Sequence, residues 1–222
     1  MGTGKARRWL NRGLGVTFAM LGSVLHAPEL MAFSYHEQVG PTRIYSETPI
    51  TEATRRAVAS SRADLRRSNF NRTDLKSRVF LTTGGVKWRV LSLGAGSAFA
   101  LTRPLGNAIV ANASTAADDR VRNGRTIADV RRLSGVLAHE TTHLLIRERF
   151  GVLAAARMPT WLVEGYCDHV AGESSLTGPQ AKALLRTRSD HPALIYHQGR
   201  ERVERMLAAN GGSDERLFAR AR

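Results

Sequence analysis

Two histidines four residues apart, with a glutamate beside the first, are the residues of this chain whose types and spacing most plainly suggest chemistry: His139-Glu140-Thr141-Thr142-His143. On an α-helix, residues four apart lie on one face, about 6 Å apart along the axis. Both imidazoles then reach a single ion, since zinc accepts histidine nitrogen at about 2.0–2.1 Å. Glu140 sits roughly a quarter-turn round, beside the ligands and not among them, where it would take a proton from an attacking water. Leu133, Val136, Leu137, Leu144, Leu145 and Phe150 give the same segment an apolar side, so it reads as a buried helix. A glutamate between two histidines in such a helix carries a desolvation cost that a cation would offset.

Two histidines leave a zinc site one protein ligand short of three plus water. The stretch Trp161-Leu162-Val163-Glu164-Gly165-Tyr166-Cys167-Asp168 supplies the candidate. Glu164 follows His143 by enough chain to finish the helix, turn at Gly151 and return on a second helix. Asp168 lies one turn beyond Glu164 on the same face. There it would accept the second ring N–H of a ligating histidine, His139 being the natural partner. Gly165, costly by about 1 kcal/mol in a helix interior, predicts a close backbone approach beside the site. Cys167, the chain's one cysteine, excludes an intramolecular disulfide and a cysteine-based zinc knuckle, and reads as a small buried thiol.

His139-Glu140-x-x-His143, Trp161-x-x-Glu164-Gly165 and Glu164-x-x-x-Asp168 together resemble the gluzincin metallopeptidases, the thermolysin-like and membrane-alanyl-aminopeptidase-like clan, over about forty residues from Leu133 to Gly172. The resemblance implies one zinc per chain on His139, His143 and Glu164. It implies Glu140 as general base and Asp168 as the outer hydrogen-bond partner. It also implies an edge strand above the metal helix that pairs with the substrate backbone. Asn107–Ala113 has the look of that strand, with Asn112 binding substrate main chain. The aminopeptidase Gly-x-Met-Glu-Asn motif is absent. For a donor to the tetrahedral oxyanion, Tyr196, His197, His191 and Tyr166 are all candidates, and Arg200 is one for a substrate carboxylate.

The elements that must position these residues follow from the rest of the chain. Met1–Arg12 is basic, and Gly13–Leu25 is uncharged. Residues 1–33 therefore read as a signal peptide or signal anchor, with an extracytoplasmic (periplasmic or cell-surface) domain over 34–222. Thr42–Ser46 alternates like a strand, and Thr51 caps a basic helix from Glu52 to about Ser68. Arg78–Thr82 and Val86–Leu93 read as a hairpin across Gly84-Gly85, continued by strands at Ala98–Thr102 and Ala108–Ala111. Ala116–Arg125 reads as a polar connection, and Thr126 as the start of the metal helix. Pro159 suits the first turn of the Glu164 helix. Thr177, a segment ending at Ala209, and Ser213 mark three further helices.

The fold class is α+β and zincin-like, with a small mixed sheet upstream of the His-Glu-x-x-His helix and a helical C-terminal half. The expected function is a zinc-dependent peptidase acting on a peptide or protein substrate, tethered to a membrane if the N-terminal segment stays uncleaved. A catalytically idle zinc-binding module is one rival. A basic module for anionic surfaces is the other, suggested by a formal net charge of +14. The positive charge is spread over arginine-rich helices without aromatic interleaving, so no specific nucleic-acid signal is present.

Overall fold

The structure, a computed structural model, describes residues 28–220; the basic and apolar Met1–Leu25 lies outside them. A five-stranded mixed sheet comes first: β1 (Tyr35–Val39), β2 (Thr42–Ser46), β3 (Ser77–Leu81), β4 (Ala100–Thr102) and β5 (Ala108–Ala111), in the order β1-β2-β3-β5-β4. The three inner strands are parallel, and β1 and β4 pair antiparallel at the two edges. Parallel strands are covered on both faces, and the stretches Val79–Leu81 of β3 and Ala108–Ala111 of β5 are accordingly apolar throughout. Ile44, Val79, Leu81, Ile109 and Ala111 face the main core. Phe80, Val110 and Tyr45 point the other way, into a smaller cluster with Trp88 and Leu91.

That second cluster explains the first departure from expectation. Gly85–Leu91 is a helix, α2, and not the hairpin partner strand read from Val86–Leu93. Trp88 and Leu91, three residues apart, are the buried positions, whereas Val86 and Val90 are exposed. The apolar spacing is helical, and the exposed valines disguised it as alternation. A second departure concerns Asn107–Ala113. β5 lies between β3 and β4, so it is an interior strand, and the edge nearest the helix of His139 and His143 is β4.

Where a polar connection over Ala116–Arg125 is expected, the chain from Ala113 to Arg132 contains a second sheet of β6 (Ala113–Thr115), β7 (Arg120–Arg122) and β8 (Val130–Arg132). The long helix α3 consequently starts at Leu133, not Thr126. No residue next to α3 caps it. Asp119 does so from the end of a distant turn, accepting from Ser134 N at 2.7 Å and Ser134 Oγ at 2.6 Å, while its carbonyl accepts from Leu133 N at 2.9 Å. A cap supplied across the fold leaves no mark in the local sequence.

The other helices are α1 (Glu52–Asp64), extended by a 3₁₀ turn at Leu65–Arg67, and α4 (Val152–Arg157), followed by α5 (Thr160–Ala171). The last three are α6 (Gly178–Arg186), α7 (Ala193–Ala209) and α8 (Asp214–Arg220). Thr51 and Thr177 cap α1 and α6 as expected. Leu217 and Phe218 of α8 are fully buried, and α1, α3 and α5 pack on one another within the main core. α5 crosses α7 at Gly165 and Gly199. A Cβ on Gly165 would stand 2.5 Å from Gly199 O, and one on Gly199 would stand 2.5 Å from Trp161 O. The close approach expected at Gly165 is therefore a glycine-only helix crossing, and it presses α7 against the helix that carries Glu164. No helix among the described residues is long and apolar enough to cross a membrane.

Candidate metal centre

α3 is buried for most of its length, and His139, Glu140 and His143 face a cleft of about 600 Å³. Thr141 and Thr142, the two intervening residues, turn their hydroxyls back to Leu137 O and Ala138 O at 2.7 and 2.8 Å. They satisfy themselves on the helix and leave the cleft to the histidines and the glutamate. α5 brings Glu164 to the same place: its Oε2 lies 3.1 Å from His139 Nε2 and 3.7 Å from His143 Nε2. Asp168 Oδ1 is 2.8 Å from the other nitrogen of His139, so the ring is gripped at both ends. Cys167, on the same helix, also contributes. Its sulfur and one nitrogen each of His139 and His143 lie within 4.8 Å of one another, a group that could hold a metal ion.

Buried charges tune this cluster. Burial opposes a positive charge on His139, but the hydrogen bonds to Asp168 and Glu164 outweigh it and raise the imidazole to about 10. Burial likewise disfavours the Asp168 carboxylate, yet the Arg131 guanidinium and His139 hold it down to about 2. Glu164 is held below the ordinary range against burial by His139 and His143. Burial and the neighbouring carboxylates push the Cys167 thiol well up, so it keeps its proton.

Two residues with no sequence signal complete the site. Arg131, 5 % exposed, donates from Nη2 to Asp168 Oδ1 at 3.1 Å and from Nε to Glu173 Oε1 at 3.2 Å. One carboxylate oxygen thus serves both Arg131 and His139. An isolated buried arginine would cost several kcal/mol, and the two acids offset that cost. Thr102, on the edge strand β4, places its hydroxyl 2.7 Å from Glu140 Oε2 and 2.8 Å from Glu140 O. Its single proton serves one acceptor at a time.

The remaining expected residues divide. Tyr196 lines the cleft and stacks over His139, ring centres 6.3 Å apart. Burial and the nearby carboxylates raise its phenol, which stays a donor. His191 lines the cleft as well. Tyr166 does not: its hydroxyl is bonded to Ser68 and Asp214 in the core. His197 and Arg200 sit by a second groove, paired with Glu201 and Glu204. Asn112 is buried at the end of β5 with its amide spent on Ala98 O at 2.9 Å and its oxygen on Ala113 N at 2.8 Å. Just past the interior strand β5, Asn112 is thus engaged with the neighbouring turn and is not on the sheet edge expected for a substrate-pairing strand. Compared with protein-family models, with curated proteins and with solved structures, the chain matches none.

Proposed function

We propose that this protein is a zinc-dependent peptidase whose metal is held by His139, His143 and Glu164. One observation carries the reading. Donors at about 2.0–2.1 Å from a shared tetrahedral centre lie about 3.3 Å apart. The 3.1 and 3.7 Å separations of Glu164 Oε2 from the two Nε2 atoms bracket that value. Cys167 is the poorer third ligand, because only a thiolate binds and its burial favours the thiol. Glu164 is already ionised. A zinc ion in this place supplies Lewis acidity to a peptide carbonyl and acidifies water.

Glu140 then accepts the proton of the attacking water and returns it to the amide nitrogen as the carbon–nitrogen bond breaks. Thr102 keeps the Glu140 carboxylate turned into the cleft. Tyr196 donates its phenolic proton's hydrogen bond to the carbonyl oxygen as negative charge builds there. The free edge of β4 borders the same cleft and would align an extended peptide by strand addition. The basic and apolar order of Met1–Leu25 supports action outside the cytoplasm.

The test is elemental analysis of protein purified without chelator, joined to a peptide-library digest. One zinc per chain with chelator-sensitive cleavage is expected. One zinc with no cleavage would leave an idle metal-binding module, and no stoichiometric metal would end both readings.

A further inference from the structure

Three guanidiniums line the cleft, and they are not equivalent. Arg131 is spent on Asp168 and Glu173. Arg147 gives its terminal nitrogens to the carbonyls of Arg103, Pro104 and Gly106. Arg125 donates only from Nε, to Ser97 Oγ at 2.7 Å. Among the described residues no acceptor meets its two terminal nitrogens, and no carboxylate comes within ion-pairing distance. The Ser97 bond fixes the plane of the guanidinium and leaves the outer fork open, the geometry that receives a carboxylate through two parallel hydrogen bonds.

A second donor stands in the same cleft. His191 Nδ1 accepts from Ala193 N at 3.2 Å, so in the neutral ring the hydrogen is on Nε2. Ala128, three residues after Arg125, packs against the cluster of Leu176, Ala181, Ala193 and Leu194, and Arg125, Ala128, His191 and Ala193 all line the same cleft. The cleft is also lined by the aliphatic side chains of Ile146, Val152, Ala155, Met158 and Val163. The cleft therefore offers unpaired donors, from Arg125 and His191, together with aliphatic surface.

We infer that Arg125 receives a substrate carboxylate, assisted by His191, and that the peptides cleaved are acidic ones. This rests on the peptidase reading above. The carboxylate comes either from the chain terminus or from an aspartate or glutamate side chain. The chain's formal net charge of +14 would steer such substrates to it.

The experiment uses zinc-loaded full-length protein and paired peptides. One pair differs only in a free or amidated C-terminus, and a second set exchanges Glu for Gln position by position. One of the two series is expected to split by about 10- to 100-fold in kcat/KM, the value of a charge-assisted hydrogen bond. Arg125→Met should abolish the split, and Arg125→Lys should restore part of it. Calorimetry with a peptide hydroxamate bearing a carboxylate, against its amide, gives a readout independent of turnover, and the same Arg125-dependent preference is expected. A protein that cleaves peptides but treats every pair alike overturns the carboxylate assignment and leaves the peptidase reading standing. A protein that cleaves nothing yet binds the carboxylate hydroxamate through Arg125 keeps the subsite and removes the peptidase.

Discussion

Helices α5 and α7 contribute to two groups of histidine and carboxylate that look alike in sequence and differ in space. In the inner group, His139 and His143 of α3 meet Glu164 and Asp168 of α5 at one buried point. In the outer group, His197 and Glu201 repeat the four-residue spacing on α7 at 3.5 Å, and His169 faces Glu204 at 3.5 Å. Glu201 is 56 % exposed, Glu204 is shared with Arg200, and the two pairs point at no common atom. Burial and convergence separate the groups, because low dielectric strengthens charges that meet and water screens those that do not.

The sharpest way to break the comparison is at Glu140, the proposed general base beside the inner group. Glu140→Gln should lower kcat by about 10³- to 10⁴-fold with zinc content unchanged, the size of a lost general base. Turnover equal to wild type would remove Glu140 from the chemistry. Next, Asp168→Ala should weaken zinc by about 10- to 100-fold in a chelator competition. It should also destabilise the fold by about 3 kcal/mol, because Arg131 is left buried beside one acid fewer. A double change, Arg131→Met with Asp168→Leu, should regain stability and not zinc affinity. Recovery of both would assign Asp168 a purely structural role.

A pH series sharpens the contrast further. In chelator-stripped protein, His139 is raised to about 10 from an ordinary value of 6.5. A raised folded-state value means that its contribution is complete below about pH 6.5 and disappears as the pH climbs through about 10. Denaturant midpoints of wild type should therefore fall more between these pH values than those of His139→Gln; parallel curves would contradict the charged state. The smallest effect belongs to the outer group. His197→Ala or Glu201→Ala should move stability by less than about 0.5 kcal/mol and zinc affinity not at all. A loss of metal from either variant would erase the distinction between the two groups.

What was legible is what local periodicity records. Residues four apart on a helix share a face whatever surrounds them, so the facing of His139 with His143, and of Glu164 with Asp168, could be read directly. Gly165 announced its crossing because a lone glycine in a helix needs a reason. The strands at Thr42–Ser46 and Ala108–Ala111 were equally plain. α2 reads as a strand because its exposed valines imitate alternation, and the start of α3 leaves no local mark because Asp119 caps it from afar.

By itself, the sequence determined that two helices each carry a pair of histidines or carboxylates on one face, because residue identity and helical period are local properties. Only the tertiary structure decided that β5 is interior and Asn112 already engaged, that Thr102 holds Glu140, and that Arg131 shares one oxygen of Asp168 with His139. These depend on where separate elements come to rest. Contacts between residues dozens of positions apart arise from burying apolar faces against one another, and no spacing along the chain encodes them.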